Sequence, residues 1–201
     1  MEMDRPDPEI MAWLRPEMLI SAYAQGMFPM VQDGELMWFR PKRRGLMPLD
    51  ERFHISRSLA RTIARGRLVC TIDRSFDDVV RLCAERPDGP QTWISPEILL
   101  AYARLHELGL AHSIEAWPAE KAGRGEPVGG LYGVALGGAF FGESMFHTVT
   151  DAGKVALVYC VEHLRRRGFA LLDIQWITPN LRRFGAYEVP HRRYRAMLRK
   201  A

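Results

Sequence analysis

Residues 128–176 read VGGLYGVAL-GG-AFFGESMF, then HTVTDAGKVALVYCVEHLRRRG, then FALLDIQW, and these three pieces decide the fold. The two apolar-aromatic runs, 128–136 and 139–146, flank Gly137-Gly138, a pair that accepts the positive φ values of a two-residue hairpin turn. A helix follows. Thr150 or Asp151 caps it, Leu157, Val161 and Leu164 recur at i, i+4 and i+7, Arg165 to Arg167 fall in the last turn, and Gly168 stops it. Residues 169–176 are too apolar and too short to be anything but a largely buried strand. The two-residue period of a strand puts Asp173 and Gln175 on one face, with Leu172, Ile174 and Trp176 on the other. A carboxylate and a carboxamide in such a place need partners, because an unpaired buried polar group costs about 1–3 kcal/mol.

Upstream, the pattern is a small N-terminal lobe over 1–44 followed by the main domain over 45–201. Residues 1–15 suggest an extended arm, 16–25 (PEMLISAYAQ) a short helix stopped by Gly26, and Gly26-Met27-Phe28-Pro29 a turn. Residues 36–39 and 45–49 read as short strands around a basic turn, Pro41-Lys42-Arg43-Arg44. Then a strand-helix rhythm begins. Arg57, Arg61 and Arg65 stripe one face of a helix whose other face carries Ile55, Leu59 and Ile63. Such a stripe suits a phosphate backbone as well as it suits solvent. Strands at 67–73 and 112–117, helices at 75–85 and 95–109, and a loop at 86–91 complete the approach to the 128–176 unit. Beyond it, 179–184 is a short turn or helix and 194–200 a small basic tail. The whole reads as an α+β fold, a mixed sheet with helices on its faces, and no internal repeat appears.

The chain has 201 residues, 47% of them hydrophobic, enough for one good core. No apolar run reaches the roughly 18–20 residues of a membrane span, and the acidic, proline-broken N-terminus is unlike a signal peptide, so no membrane and a cytoplasmic site are expected. Cys70, Cys83 and Cys160 lack C-x-x-C spacing and read as core residues. The six histidines show no metal-ligand spacing, so no metal is expected. Phosphate-loop, nucleophile-elbow and zinc-protease motifs are missing, and the glycines at 129, 130 and 133 sit inside a strand. Glu143, a carboxylate inside FFGESMF, points into a pocket or meets a buried cation.

Several blocks in one order carry a resemblance: Phe53-His54-Ile55-Ser56-Arg57-Ser58, Thr92-Trp93-Ile94, Leu105-His106-Glu107-Leu108-Gly109 with Ala111-His112-Ser113, residues 128–135, Gly142-Glu143-Ser144-Met145-Phe146, and Asp173-x-Gln175 followed by Phe184-Gly185-Ala186. From about Leu19 onward the chain resembles the leucyl/phenylalanyl-tRNA–protein transferase family. The resemblance implies an acyl-CoA N-acyltransferase-like fold that uses aminoacyl-tRNA in place of coenzyme A and needs no cofactor. It implies transfer of Leu or Phe, with Met a further candidate, to proteins with N-terminal Arg or Lys, marking them for degradation, and a monomer is expected. By position, Asp173 and Gln175 match the catalytic pair and Glu143 the glutamate that meets the basic N-terminal residue. Leu131, Phe140, Leu157, Leu164 and Leu172 fall in the aminoacyl pocket, with Cys160 where an aromatic is common. Trp93 matches a tryptophan near the terminal adenosine, and Arg57 and Arg61 match a tRNA-binding helix. Two departures stand out: Met30 replaces the tryptophan of Gly-Ile-Phe-Pro-Trp, and Phe39-Arg40-Pro41 replaces Trp-Ser-Pro. Two alternatives stay open. One is an acyl-CoA-dependent N-acyltransferase, against which the single glycine and the acidic cap at 148–154 argue, and the other is a non-catalytic tRNA-binding relative.

Overall fold

The computed structural model describes residues 6–33, 35–85 and 92–201. Helices α1 (Pro8–Trp13) and α2 (Pro16–Ala24) lead into a two-stranded antiparallel sheet of β1 (Phe28–Gln32) and β2 (Glu35–Phe39). There follow β3 (Arg43–Met47), α3 (Arg57–Ala64), β4 (Leu68–Ile72), α4 (Phe76–Ala84), α5 (Pro96–Glu107), β5 (Ala111–Pro118), β6 (Gly129–Leu136) and β7 (Ala139–His147). Helix α6 (Ala152–Arg166), β8 (Leu171–Gln175), α7 (Pro179–Arg182), β9 (Tyr187–Pro190) and α8 (His191–Leu198) complete the chain. Among the described residues, seven strands form one sheet in the order β4-β5-β6-β7-β8-β3-β9. Of the neighbouring pairs among the described residues, only β7 and β8 run parallel; every other pair is antiparallel. This is the α+β architecture that the sequence implies.

Apolar alternation on the central strands feeds two cores, one on each face. Leu131, Phe140 and Leu172 pack with α3, α6 and Phe184, while Tyr132, Phe141 and Leu171 pack with α2, α4, α5 and α8. Glycine lets helix and sheet approach closely, since a Cβ on Gly129 would lie 2.6 Å from that of Ala152 at the start of α6. Gly137 takes the turn with φ 59. Asp151 precedes α6 with φ 66, but its side chain makes no capping bond to the helix backbone.

Four expectations need correction. The arm expected over 1–15 contains α1, because Asp7 accepts the Glu9 N–H at 2.8 Å, Pro8 starts the turn and Leu14 is buried. The turn expected at Gly26-Met27-Phe28-Pro29 is over by Phe28, where β1 begins. The basic turn at 41–44 is half strand, since Arg43 and Arg44 open β3. The basic tail at 194–200 is mostly helix α8, anchored by the fully buried Tyr194, with β9 before it. The loop expected at 86–91 lies outside the described residues. Among the described residues, no helix is long and apolar enough to cross a membrane.

Candidate active site

Strands β7 and β8 pair at only three positions, Ala139↔Leu171, Phe140↔Leu172 and Phe141↔Asp173. Past that point each strand carries an extra residue. Gly142 faces Gly133 and Ser144 faces Tyr132, which leaves Glu143 unmatched on β7. Asp173 faces Leu46 and Gln175 faces Gly45, which leaves Ile174 unmatched on β8. A bulge twists its strand and re-aims the side chains beside it. Two bulges at one level part the strands, and Gln175 ends β8 with φ 53.

The gap opens into a cavity of about 520 Å³. Leu131, Phe140, Leu157, Cys160 and Leu172 supply buried apolar lining, Trp93 and Trp176 further aromatic surface, and Glu143 and Gln175 are among the polar groups, with Asp151 and Lys154 also on the wall. The structure thus gathers eight of the residues singled out in the sequence: Trp93, Leu131, Phe140, Glu143, Leu157, Cys160, Leu172 and Gln175. Four are elsewhere. Leu164 lines a second cavity, of about 300 Å³, that shares Phe140 and Cys160 with the first. Arg57 and Arg61 are exposed on α3, which reaches the first cavity through Thr62, whose hydroxyl donates to Asp151 Oδ2 at 3.4 Å.

Asp173 is the fourth, and here strand alternation misleads. The bulge at Ile174 undoes the shared face, so the Asp173 carboxylate is fully buried and does not line the cavity. Its two oxygens accept from Arg44 Nε at 2.8 and 2.9 Å, and Oδ2 also accepts from the Tyr194 hydroxyl at 2.5 Å. Oδ1 takes the backbone N–H of Gln175 at 2.9 Å. Asp173 therefore fixes the main chain of Gln175 rather than its amide. Arg44 is buried too, its guanidinium between the Phe28 and Tyr194 rings at 4.7 and 4.9 Å. Burial opposes its charge, but Asp173 overcomes this and raises the Arg44 pKa.

On the cavity side, Gln175 Nε2 donates to Glu143 Oε1 at 3.2 Å, and the Tyr102 hydroxyl donates to Glu143 Oε2 at 3.3 Å. The Tyr102 hydroxyl in turn meets that of Tyr23. Burial pushes the Glu143 carboxyl up to about 8, Asp173 adds to this, and the tyrosine hydroxyls and Arg44 act against it. With the Gln175 amide nitrogen on Glu143, its oxygen is left to accept from an incoming donor.

Sequence reasoning missed Arg44, Tyr194, Tyr102 and Tyr23. Tyr102 left a trace, a hydroxyl on the apolar face of α5 that had to find a partner. Arg44 left none, because an arginine in PKRRG reads as solvent-facing.

Two family models match in sequence order: the leucyl/phenylalanyl-tRNA protein transferase N-terminal domain over residues 14–42, and leucyl/phenylalanyl-tRNA protein transferase over residues 46–199. A leucyl/phenylalanyl-tRNA–protein transferase of Herpetosiphon aurantiacus is 52% identical over 188 residues, 94% of each chain. That of Akkermansia muciniphila is 48% identical over 190 residues, 94% of this chain and 96% of the relative. Among solved structures, FemX superposes with a TM-score of 0.56 at 12% identity, over 83% of this chain and 63% of FemX, which shows the fold alone. With both parts of the family model present in order and about half of all residues shared with these relatives, the chain belongs to the leucyl/phenylalanyl-tRNA protein transferase family.

Proposed function

We propose that this chain moves a leucyl, phenylalanyl or methionyl group from aminoacyl-tRNA to the α-amino group of a protein that begins with Arg or Lys, and so marks it for degradation. The observation that carries the reading is the position of Gln175, in the wall of a largely apolar cavity with its amide nitrogen held by Glu143. In this reading the aminoacyl side chain lies among Leu131, Phe140, Leu157, Cys160 and Leu172. The amine donates to the Gln175 oxygen and attacks the ester carbonyl; the C–N bond forms, the ester C–O bond breaks, and the tRNA 3′-oxygen leaves with a proton. An aminoacyl ester is already activated, so positioning and proton removal suffice. Glu143, pushed up to about 8 and so ionised only as the pH approaches that value, then draws the basic residue of the acceptor and serves as the carboxylate for its ammonium proton. Asp173 is a positioning residue, Trp93 meets the terminal adenosine, and Arg57 and Arg61 hold tRNA phosphates. The reading carries a cytoplasmic monomer that needs no cofactor.

The acyl-CoA alternative meets an obstacle. At the start of α6 the Asp151 carboxylate, whose Oδ1 accepts from Lys154 Nζ at 2.7 Å, puts a negative charge where a pyrophosphate would have to bind. Leucyl-tRNA and a peptide starting with Arg test the proposal. Gln175→Ala is expected to lose about 10² to 10⁴ in single-turnover transfer rate while keeping tRNA affinity and melting temperature. Near-parental transfer by a stable variant would remove Gln175 from the mechanism.

A further inference from the structure

Helix α8 turns Tyr194 into the core, with Met197 and Leu198 partly buried beside it, and leaves Arg192, Arg193, Arg199 and Lys200 exposed. Strand β3 pairs with β9 at Arg43↔Pro190, and the His191 N–H donates to the Lys42 carbonyl at 2.9 Å. Exposed Arg40 and Lys42 thus lie at the start of the helix. Burial lowers the His191 pKa, and the charges of Arg40, Arg195 and Arg44 lower it further, as expected where cations crowd. Two neighbours are already engaged, Arg43 with Glu188 at 2.8 Å and Arg195 with the Gln25 carbonyl. Among the described residues, Arg40, Lys42, Arg192, Arg193, Arg199 and Lys200 have no carboxylate partner.

This patch continues to the cavity. Arg40 follows Phe39, whose ring centroid is 6.0 Å from that of Trp176, and Trp176, 45% exposed, lines the cavity. Helix α3 approaches the same cavity from the other face of the sheet, through the Thr62 bond to Asp151, since Leu59 of α3 and Tyr194 of α8 belong to opposite cores. Unpaired like charges repel, and a polyanion relieves that repulsion. None of the exposed large apolar side chains lies on α8, so that helix offers no apolar anchor for a protein partner, and the exposed Trp176 belongs to the cavity. A molecule whose end enters the cavity and whose body is lined with phosphates fits both features.

Resting on the transfer reading above, we infer that Arg40, Lys42, Arg192 and Arg193 form a second phosphate-binding surface, across the cavity mouth from the α3 stripe, that holds the body of the donor tRNA. The test is Arg192→Gln/Arg193→Gln in the full chain, titrated with leucyl-tRNA across a salt series beside Arg57→Gln/Arg61→Gln. Both doubles are expected to weaken binding and to shallow the log Kd against log salt slope by about 1 to 2, because each lost phosphate contact removes about 0.7 to 0.9. The loss in kcat/KM on leucyl-tRNA is expected to exceed that on a leucylated 3′-terminal trinucleotide at least tenfold. Should the helix not tolerate these changes, Arg40→Gln/Lys42→Gln reads the same surface. An unchanged slope for both patch variants while the α3 variant loses affinity overturns the inference and leaves the transfer reading intact. Equal losses on both donors, or loss of binding to anionic phospholipid vesicles with tRNA binding unchanged, also overturn it. A parent that neither binds nor uses leucyl-tRNA sinks the transfer reading, and this inference with it.

Discussion

Arg44 and Asp173 show how one buried pair fixes a reactive group without touching substrate. Both side chains are 0% exposed. Desolvating two charges costs several kcal/mol per ion, recovered only with good geometry and further hydrogen bonds, here from Tyr194 and the Gln175 backbone. Arg44→Met strands the carboxylate and is expected to cost about 3–5 kcal/mol in chemical denaturation. Arg44→Met with Asp173→Leu is expected to recover much of that stability yet transfer poorly, because the Gln175 main chain has lost its anchor. A double variant as active as the parent would rule Asp173 out as a positioning residue. Half of this pair is legible in the sequence. Asp173 stands out in FALLDIQW because a strand so apolar makes its carboxylate conspicuous, whereas Arg44 is 129 residues away in a segment that reads as a turn.

Elements with strong periodicity are the legible ones, and the site lies where periodicity breaks. The hairpin of β6 and β7, the long helix α6 and the arginine-striped α3 follow from apolar spacing and glycine turns and stops. Helix α1 and strands β1 and β9 are four to six residues long, and β1 and β9 contain proline, so each offers no more than about two periods to read. The bulges at Glu143 and Ile174 are not visible either, since a strand counted in twos gives no sign of an inserted residue. Gly133 is the trace that one of them leaves. Across from Gly142, its missing Cβ would overlap the Phe141 carbonyl and the Phe140 ring, whereas a Cβ on Gly142 would meet nothing nearer than 3.6 Å. Gly133→Ala is therefore expected to destabilise by about 1–3 kcal/mol in urea unfolding, and Gly142→Ala by less. Equal costs would mean that the close approach at the bulge is not what fixes glycine there.

At the scale of the molecule, the site is the seam where the two faces of the sheet and the N-terminal segment meet, and Glu143 reports on that seam. Tyr102 of α5 holds it directly, Tyr23 of α2 through Tyr102, and Gln175 of β8 from the cavity side. Its carboxyl titrates at about 8 in the folded chain against an ordinary 4.5, so between those values the folded state keeps a proton that the unfolded state has lost. Stability from this group is complete below about pH 4.5, falls as pH rises, and is gone above about pH 8. Glu143→Gln removes that dependence, so the difference in melting temperature between variant and parent is expected to grow with pH through this window. Each 1 kcal/mol regained raises the Tm of a chain this size by about 2–4 °C. Subtracting the parent's curve cancels other groups, including His112, whose pKa Asp73 raises and whose contribution is also lost as pH rises. Transfer is expected to move the other way. At pH 8.5 the variant has neither an anion for the basic residue of the acceptor nor a carboxylate for its proton, so it should melt higher than the parent and transfer at least about 10²-fold more slowly. A pH-independent Tm difference would mean that Glu143 is already ionised in the folded chain, and undiminished transfer would mean that Gln175 acts without it.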